Sequence, residues 1–215
     1  MNSQPLASLT HAVCVLLRLC MAGAILALVV QATVYSRLVT TGVLVEGQFP
    51  PEWFVEIVGV SQVVMPLVTY IFFFIWIYRT NSNLWALTSE PLRFTPGWCV
   101  GWFFVPFLNF FRPYQVMKEI WQVCHRDRQT VSALLGGWWL LWLVSFMVAR
   151  VAGLLMDQAQ SVTEANQARL LFVGADLLDA LKFGFMLAVV TRIWTAYCQN
   201  IDDEGLTSDH DAEPE

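Results

Sequence analysis

The sequence predicts an all-α fold: a polytopic membrane helical bundle of four long spans, with a short re-entrant or interfacial hairpin and an amphipathic interfacial helix. Three observations carry that prediction. Of the 215 residues, 57% are hydrophobic and only 13% are charged, where soluble domains carry about a quarter charged residues. The apolar residues come in runs of about 20, enough to cover roughly 30 Å of hydrocarbon. Tryptophan and arginine gather at the ends of those runs, as they do at a bilayer surface. Mean hydropathy is +0.55, which rules out a water-soluble domain of ordinary composition. The length allows one bundle, residues 1–200, and no second domain of useful size.

The first span runs over Ala12–Val34, broken only by Arg18 and Gln31. No Lys or Arg precedes it, and Arg18 divides what would be the short apolar core of a cleaved signal, so it reads as a span. Arg18 lies near the inner edge, where its long side chain reaches the headgroups. A loop with Gly42, Glu46, Gly47, Pro50, Pro51 and Glu52 follows. The second span covers Trp53–Tyr78, with Glu56 near its outer end and a kink expected at Pro66, where a backbone donor is lost.

The stretch 97–111 is apolar and aromatic but lies between Pro96 and Arg112. A straight helix of that length reaches roughly 22 Å, short of the hydrocarbon thickness. Pro106 and Asn109 interrupt it further. It reads as a hairpin that returns to its starting side, with a short fifth span as the alternative. Pro113 then opens a helix over residues 113–128. Val116, Met117, Ile120, Trp121 and Cys124 share one face, opposite Gln115, Lys118, Glu119, Gln122 and Arg126. Such a helix lies in the inner interface or packs on the bundle itself. The third and fourth long spans are Leu134–Met156 and Leu170–Trp194.

With the hairpin, Arg79, Arg93, Arg112, Lys118, Arg126, Arg128 and Arg192 fall on one side, and Arg37 and Arg169 near the other. The crowded side is then cytoplasmic, which makes this a multi-pass cell-membrane protein with both termini inside. A fifth span splits the same charges across the bilayer. Trp76, Trp85, Trp98, Trp121, Trp138, Trp139 and Trp194 gather at the same inner surface. The net charge of −5 comes from the tail: residues 202–215 hold seven acids and no Lys or Arg. The rest has ten acids against twelve basic residues. An acidic segment so poor in apolar residues is expected to be disordered over 201–215.

At the hairpin the residues Thr95-Pro96-Gly97-Trp98, Val100-Gly101-Trp102-Phe103, Pro106-Phe107, Asn109, Arg112-Pro113-Tyr114, Met117 and Glu119-Ile120-Trp121 resemble the signature of bacterial domain-of-unknown-function family 4328. The resemblance runs over roughly Phe54–Tyr197. It implies a multi-pass bacterial membrane protein, with a place in the bacterial inner membrane, and brings no activity, cofactor or catalytic residue with it.

Two groups of polar residues are candidate sites. Asp176, Asp179 and Lys182 stand at steps of three in the last span, on one helical face. A dozen Leu, Phe and Val residues there contribute about −0.3 to −0.6 kcal/mol each, while a central Asp or Lys costs about 2.5–3.5. The sums nearly cancel, so the charges need partners or water. Asp179 pairs with Lys182 along the helix, and Arg150, at a similar depth in the preceding span, is expected to pair with Asp176. Intramembrane charges mark a functional site or a satisfied network that sets helix register. The second group is Pro106, Asn109 and Arg112 in the hairpin. Non-helical backbone at membrane depth is buried in protein or lines a wet cavity, so Asn109 is expected to cap the broken helix with its amide or to line a pore.

No catalytic motif is visible: the nucleophile elbow, the zinc-protease helix and the phosphate loop are missing. Ser61 and Ser145 lie in spans without a histidine to act as base. Five cysteines, Cys14, Cys20, Cys99, Cys124 and Cys198, have no metal-ligand spacing. No enzyme activity, cofactor or metal is therefore expected. The expected partners are membrane lipids, and a protein partner or a second copy of the chain. No basic stripe points to nucleic acid. The composition fits a non-enzymatic scaffold acting at the cytoplasmic interface, with a small permease or ion or proton pathway through the charged cluster as the alternative.

Overall fold

The computed structural model describes residues 4–41, 50–88, 91–126 and 133–210 and is helical apart from the turns, with no strand among the described residues. The described residues form six helices in order: α1 Gln4–Thr41, α2 Glu52–Leu87, α3 Pro96–Gly101, α4 Arg112–Cys124, α5 Ala133–Gln158 and α6 Val162–His210. A 3-10 turn, Leu108–Phe110, stands between α3 and α4. Parts of the loop after the first span (42–49), the expected last residues of the interfacial helix (127–128, Arg128 among them) and 211–215 lie outside the described residues.

The four long helices sit where the apolar runs predict them, and they run longer. At 38 residues α1 reaches about 57 Å, well past roughly 30 Å of hydrocarbon. Towards its polar ends hydroxyls turn back onto carbonyls of their own helix, as Thr10 Oγ1 does to Leu6 O (2.8 Å) and Thr33 Oγ1 to Val29 O (2.7 Å). α2 continues through Pro66. α6 extends to His210, into the segment expected to be disordered. Extending an existing helix adds a hydrogen bond per residue without a new nucleation step.

Among the described residues three helices are long and apolar enough to cross a membrane: Leu6–Arg37, Glu52–Leu87 and Ala133–Gln158. The charges of α6 set it apart from these three. The chain divides into two compact units, one of Met1–Cys14, Phe72–Gly136 and Leu187–Glu215, the other of Val15–Ile71 and Gly137–Met186. In the first, Phe73, Trp76, Ile77, Met117, Ile120 and Ile193 are fully buried, and the Trp76 indole donates to Thr10 Oγ1 (3.0 Å). In the second, Ala27, Val30 and Val58 form an apolar cluster with Phe54 and Val55 packed on it. A Cβ on Gly137 would stand 2.7 Å from the Phe185 ring, so a larger residue there would have to displace that ring.

Candidate functional site

The hairpin belongs to the first unit and is built by its prolines and glycines. Thr95 is extended (φ −72°, ψ 155°) and Pro96 occupies the first turn of α3, where its missing donor costs nothing. α3 ends after six residues. Turns follow, with Phe103 N bonded to Val100 O (3.1 Å) and Phe104 N to Gly101 O (3.0 Å). Pro106 lacks the donor a helix needs and disfavours helical geometry at Val105. Phe107 takes a positive φ of 63°, a conformation costing a side-chain-bearing residue about 1–3 kcal/mol.

The carbonyl of Val105 is satisfied by the backbone N–H of Asn109 (3.0 Å). The expected side-chain cap is therefore replaced by a main-chain one, and Asn109 Oδ1 is buried without a partner. Trp102 Nε1 is likewise buried and unpartnered.

The two ends of the hairpin meet. Arg112, at the start of α4, holds its guanidinium 6.0 Å from the centre of the Phe94 ring and 5.1 Å from that of Trp102. Its Nη1 also donates to Gln115 Oε1 (3.1 Å). Arg93 lies 5.3 Å over the same Phe94 ring. Glu119 accepts from the backbone N–H of Arg93 (2.6 Å) and of Phe94 (3.2 Å), one on each carboxylate oxygen. The Trp85 indole donates to Phe94 O (3.1 Å).

Beyond this clamp the chain projects along α2. Phe103 and Phe104 pack on Phe74, with ring centres 5.0 and 5.4 Å away. Phe74 stands eleven residues, about 16 Å, back along α2 from Trp85. That is roughly half a hydrocarbon layer. Along the hairpin Phe104, Phe107 and Phe111 are 69%, 81% and 65% exposed, aromatic surface that water would not favour.

The predicted apolar face of α4 is present: Val116, Met117, Ile120, Trp121 and Cys124 are all buried. Protein covers it, so α4 is the packed helix of the two alternatives, and the hairpin phenylalanines are what stays bare. Asn200 Nδ2 donates to Cys124 O (2.7 Å) at its end. Burial pushes the Cys124 thiol up to about 12.

Beside it the sequence reading missed a polar layer. Asn83 Nδ2 donates to the Tyr197 hydroxyl (3.1 Å). A cavity of about 200 Å³ is lined by Leu84, Thr88, Arg126, Tyr197 and Asn200 among others. Burial also raises the Tyr197 hydroxyl, partly offset by Asn83. The signal lay in the run Thr80-Asn81-Ser82-Asn83, just past the limit assigned to the second span.

The charged cluster belongs to the second unit. Lys182 Nζ and Asp179 Oδ1 form the expected pair at 2.7 Å, with Lys182 buried and also 4.5 Å over the Phe183 ring. Tyr70 of α2 hydrogen-bonds the ammonium, and Trp142 of α5 bonds Tyr70. Cys20 and Thr69 are joined at 3.0 Å between α1 and α2.

The Arg150–Asp176 pair does not form. Arg150 is exposed, and the charge Asp176 feels is that of Asp179. The reason is register. α6 begins at Val162, directly after the turn that ends α5 at Gln158, eight residues before the expected start. Arg150 is eight residues from the α5 end and Asp176 fourteen into α6, so their depths differ by about 9 Å. Arg18 and Glu56 are both exposed. Among the described residues no three His, Cys, Asp or Glu side chains converge as a metal site.

An all-helical chain with three helices among its described residues long and apolar enough to cross a membrane, a clamped aromatic hairpin and a buried ion pair has the make-up of a helical membrane protein. It belongs to the DUF4328 family, a domain of unknown function, whose model matches residues 51–195. The matched region holds the hairpin and the ion pair alike. No curated protein and no solved structure matches the chain.

Proposed function

We propose that this protein is a non-enzymatic scaffold of the bacterial inner membrane. In this reading it has four spans, with both termini in the cytoplasm, and it organises lipids or a partner protein through the hairpin. The observation that carries the reading is the closed clamp. Phe94 and Arg112 lie against each other while Phe104, Phe107 and Phe111 project bare. A segment whose ends meet enters and leaves by one face, and bare phenylalanines half a layer deep belong in acyl chains. The fourth span is α6, made insertable by the internal neutralisation of Asp179 and Lys182.

Topology tests this directly. In a Cys198→Ser background, cysteines at the exposed positions Ala86 and Arg126 should label from the cytoplasmic side. One at the exposed Gln160 should label from outside. Labelling of Ala86 and Arg126 from opposite compartments overturns the reading.

A small permease is the second reading, favoured by the joining of Lys182, Asp179, Tyr70 and Trp142 across three helices. Ion or proton flux into liposomes that disappears in Asp179→Asn would favour it, and absence of flux in the wild type rejects it.

A further inference from the structure

Resting on the hairpin reading, we infer that the clamp is a binding site for the headgroup of an anionic phospholipid, held by Arg93 and Arg112. The argument starts from unsatisfied charge. Among the described residues 91–126 Glu119 is the carboxylate, and both of its oxygens are engaged by backbone N–H groups. Neither arginine forms an ion pair with a described acid; Arg93 lies over an aromatic ring, and Arg112 lies over two and gives one donor to Gln115. Two guanidinium groups within about 6 Å of one ring, with donors left over, suit a phosphate diester, which accepts several such donors at once.

Position selects the source of that phosphate. The clamp stands at the mouth of the hairpin, beside the half-exposed Trp98, and the bare Phe104 lies away from it, packed on Phe74. A lipid is the ligand that places an anion at the first and apolar chains at the second. Charge agrees, since residues 91–126 hold four basic residues and one acid. Glu119 acts here as a positioning residue, because its two bonds fix the backbone that carries Arg93 and Phe94.

The test uses the whole protein in nanodiscs of phosphatidylcholine mixed with phosphatidylglycerol, with native mass spectrometry counting the lipids retained. The wild type should retain phosphatidylglycerol over phosphatidylcholine. The double variant Arg93→Gln/Arg112→Gln should reduce that preference by about tenfold or more, and Arg112→Lys should keep part of it. Lys118→Gln, which removes a nearby charge that does not touch the Phe94 ring, should leave it intact. Equal retention by the wild type, or an equal loss in Lys118→Gln, overturns the site. Displacement of the lipid by millimolar inorganic phosphate also overturns it, since phosphate alone would then be the ligand.

A spin label at Phe107→Cys separates this from failure of the hairpin reading. If the label lies within the acyl chains while headgroup preference is absent, the site falls and the hairpin stands. If the label reports water, both fall. Unchanged thermal unfolding of the double variant shows that the loss is not one of folding.

Discussion

Glu119 ties two distant pieces of chain together with one side chain. Its carboxylate accepts from Arg93 N and Phe94 N, 26 and 25 residues away, and charged acceptors make bonds worth about 1.5–3 kcal/mol. Glu119→Ala should lower unfolding free energy by about 2–3 kcal/mol, read as thermal unfolding in detergent. Glu119→Gln, which keeps one acceptor, should fall between. Cys124 gives a pH-dependent case. Its thiol ordinarily titrates near 9.0 and is pushed up to about 12 by burial. Folding therefore favours the protonated form: that contribution is complete below pH 9 and is lost as pH rises towards 12. The stability advantage of wild type over Cys124→Ala should shrink across that window, and maleimide at pH 8 should reach Cys198 before Cys124. At this scale the sequence was legible where partners share a helix. Asp179 and Lys182 are three apart, and their meeting follows from helical geometry alone. Tyr70 and Trp142 come from other helices, and Cys20 and Thr69 are 49 residues apart; nothing in helical periodicity couples such positions.

Among the elements, the hairpin was the most readable and the α5–α6 turn the least. Too few residues to cross, two prolines and a return of basic charge all point to a segment that turns back, and Arg112 against the Phe94 ring brings its ends together. Residue Arg150 was placed opposite Asp176 because the last span was started at Leu170, where charge gives way to apolar residues. The helix itself starts at Val162, since Thr163, Glu164 and Gln167 are helix-compatible though polar. Hydropathy marks where lipid begins, while hydrogen bonding marks where a helix begins, and the two differ here by two turns. α4 shows a related ambiguity: an amphipathic stripe states that one face is covered and leaves open whether lipid or protein covers it. The hairpin residue Phe107 yields a two-sided prediction. Its positive φ is one that glycine adopts freely, so Phe107→Gly should raise thermal stability in detergent by about 1 kcal/mol. In bilayers the same change should draw the hairpin outward, measured as a shallower depth for a spin label placed at Phe104→Cys.

For the molecule as a whole, the proposed insertion of α6 as a fourth span is the energetic question. Lys182 is buried and paired, and an ion pair of this kind is costly to break yet cheap to replace. Lys182→Leu alone should cost about 3–5 kcal/mol, because Asp179 is left without its counter-ion. Asp179→Leu/Lys182→Leu together should be neutral or stabilising, with the yield of membrane-inserted protein as the readout. Loss of insertion in the double variant would mean that the pair does more than neutralise itself. Fold class and the four long helices were readable in composition and run length, because both follow from transfer free energies that each residue carries with it. The division of the chain into two units was not, since it depends on which helices touch.

The hairpin reaches about half-way along its depth beside α2 and turns back. Seated in a bilayer, such a dip adds cross-section to the lipid sheet it enters and none to the opposite one. In the topology proposed above, every copy acts as a small asymmetric shim that crowds one monolayer and leaves the other slack. A membrane populated by many such copies would relieve that imbalance by bending, which would tie the abundance of the protein mechanically to the local shape of the membrane.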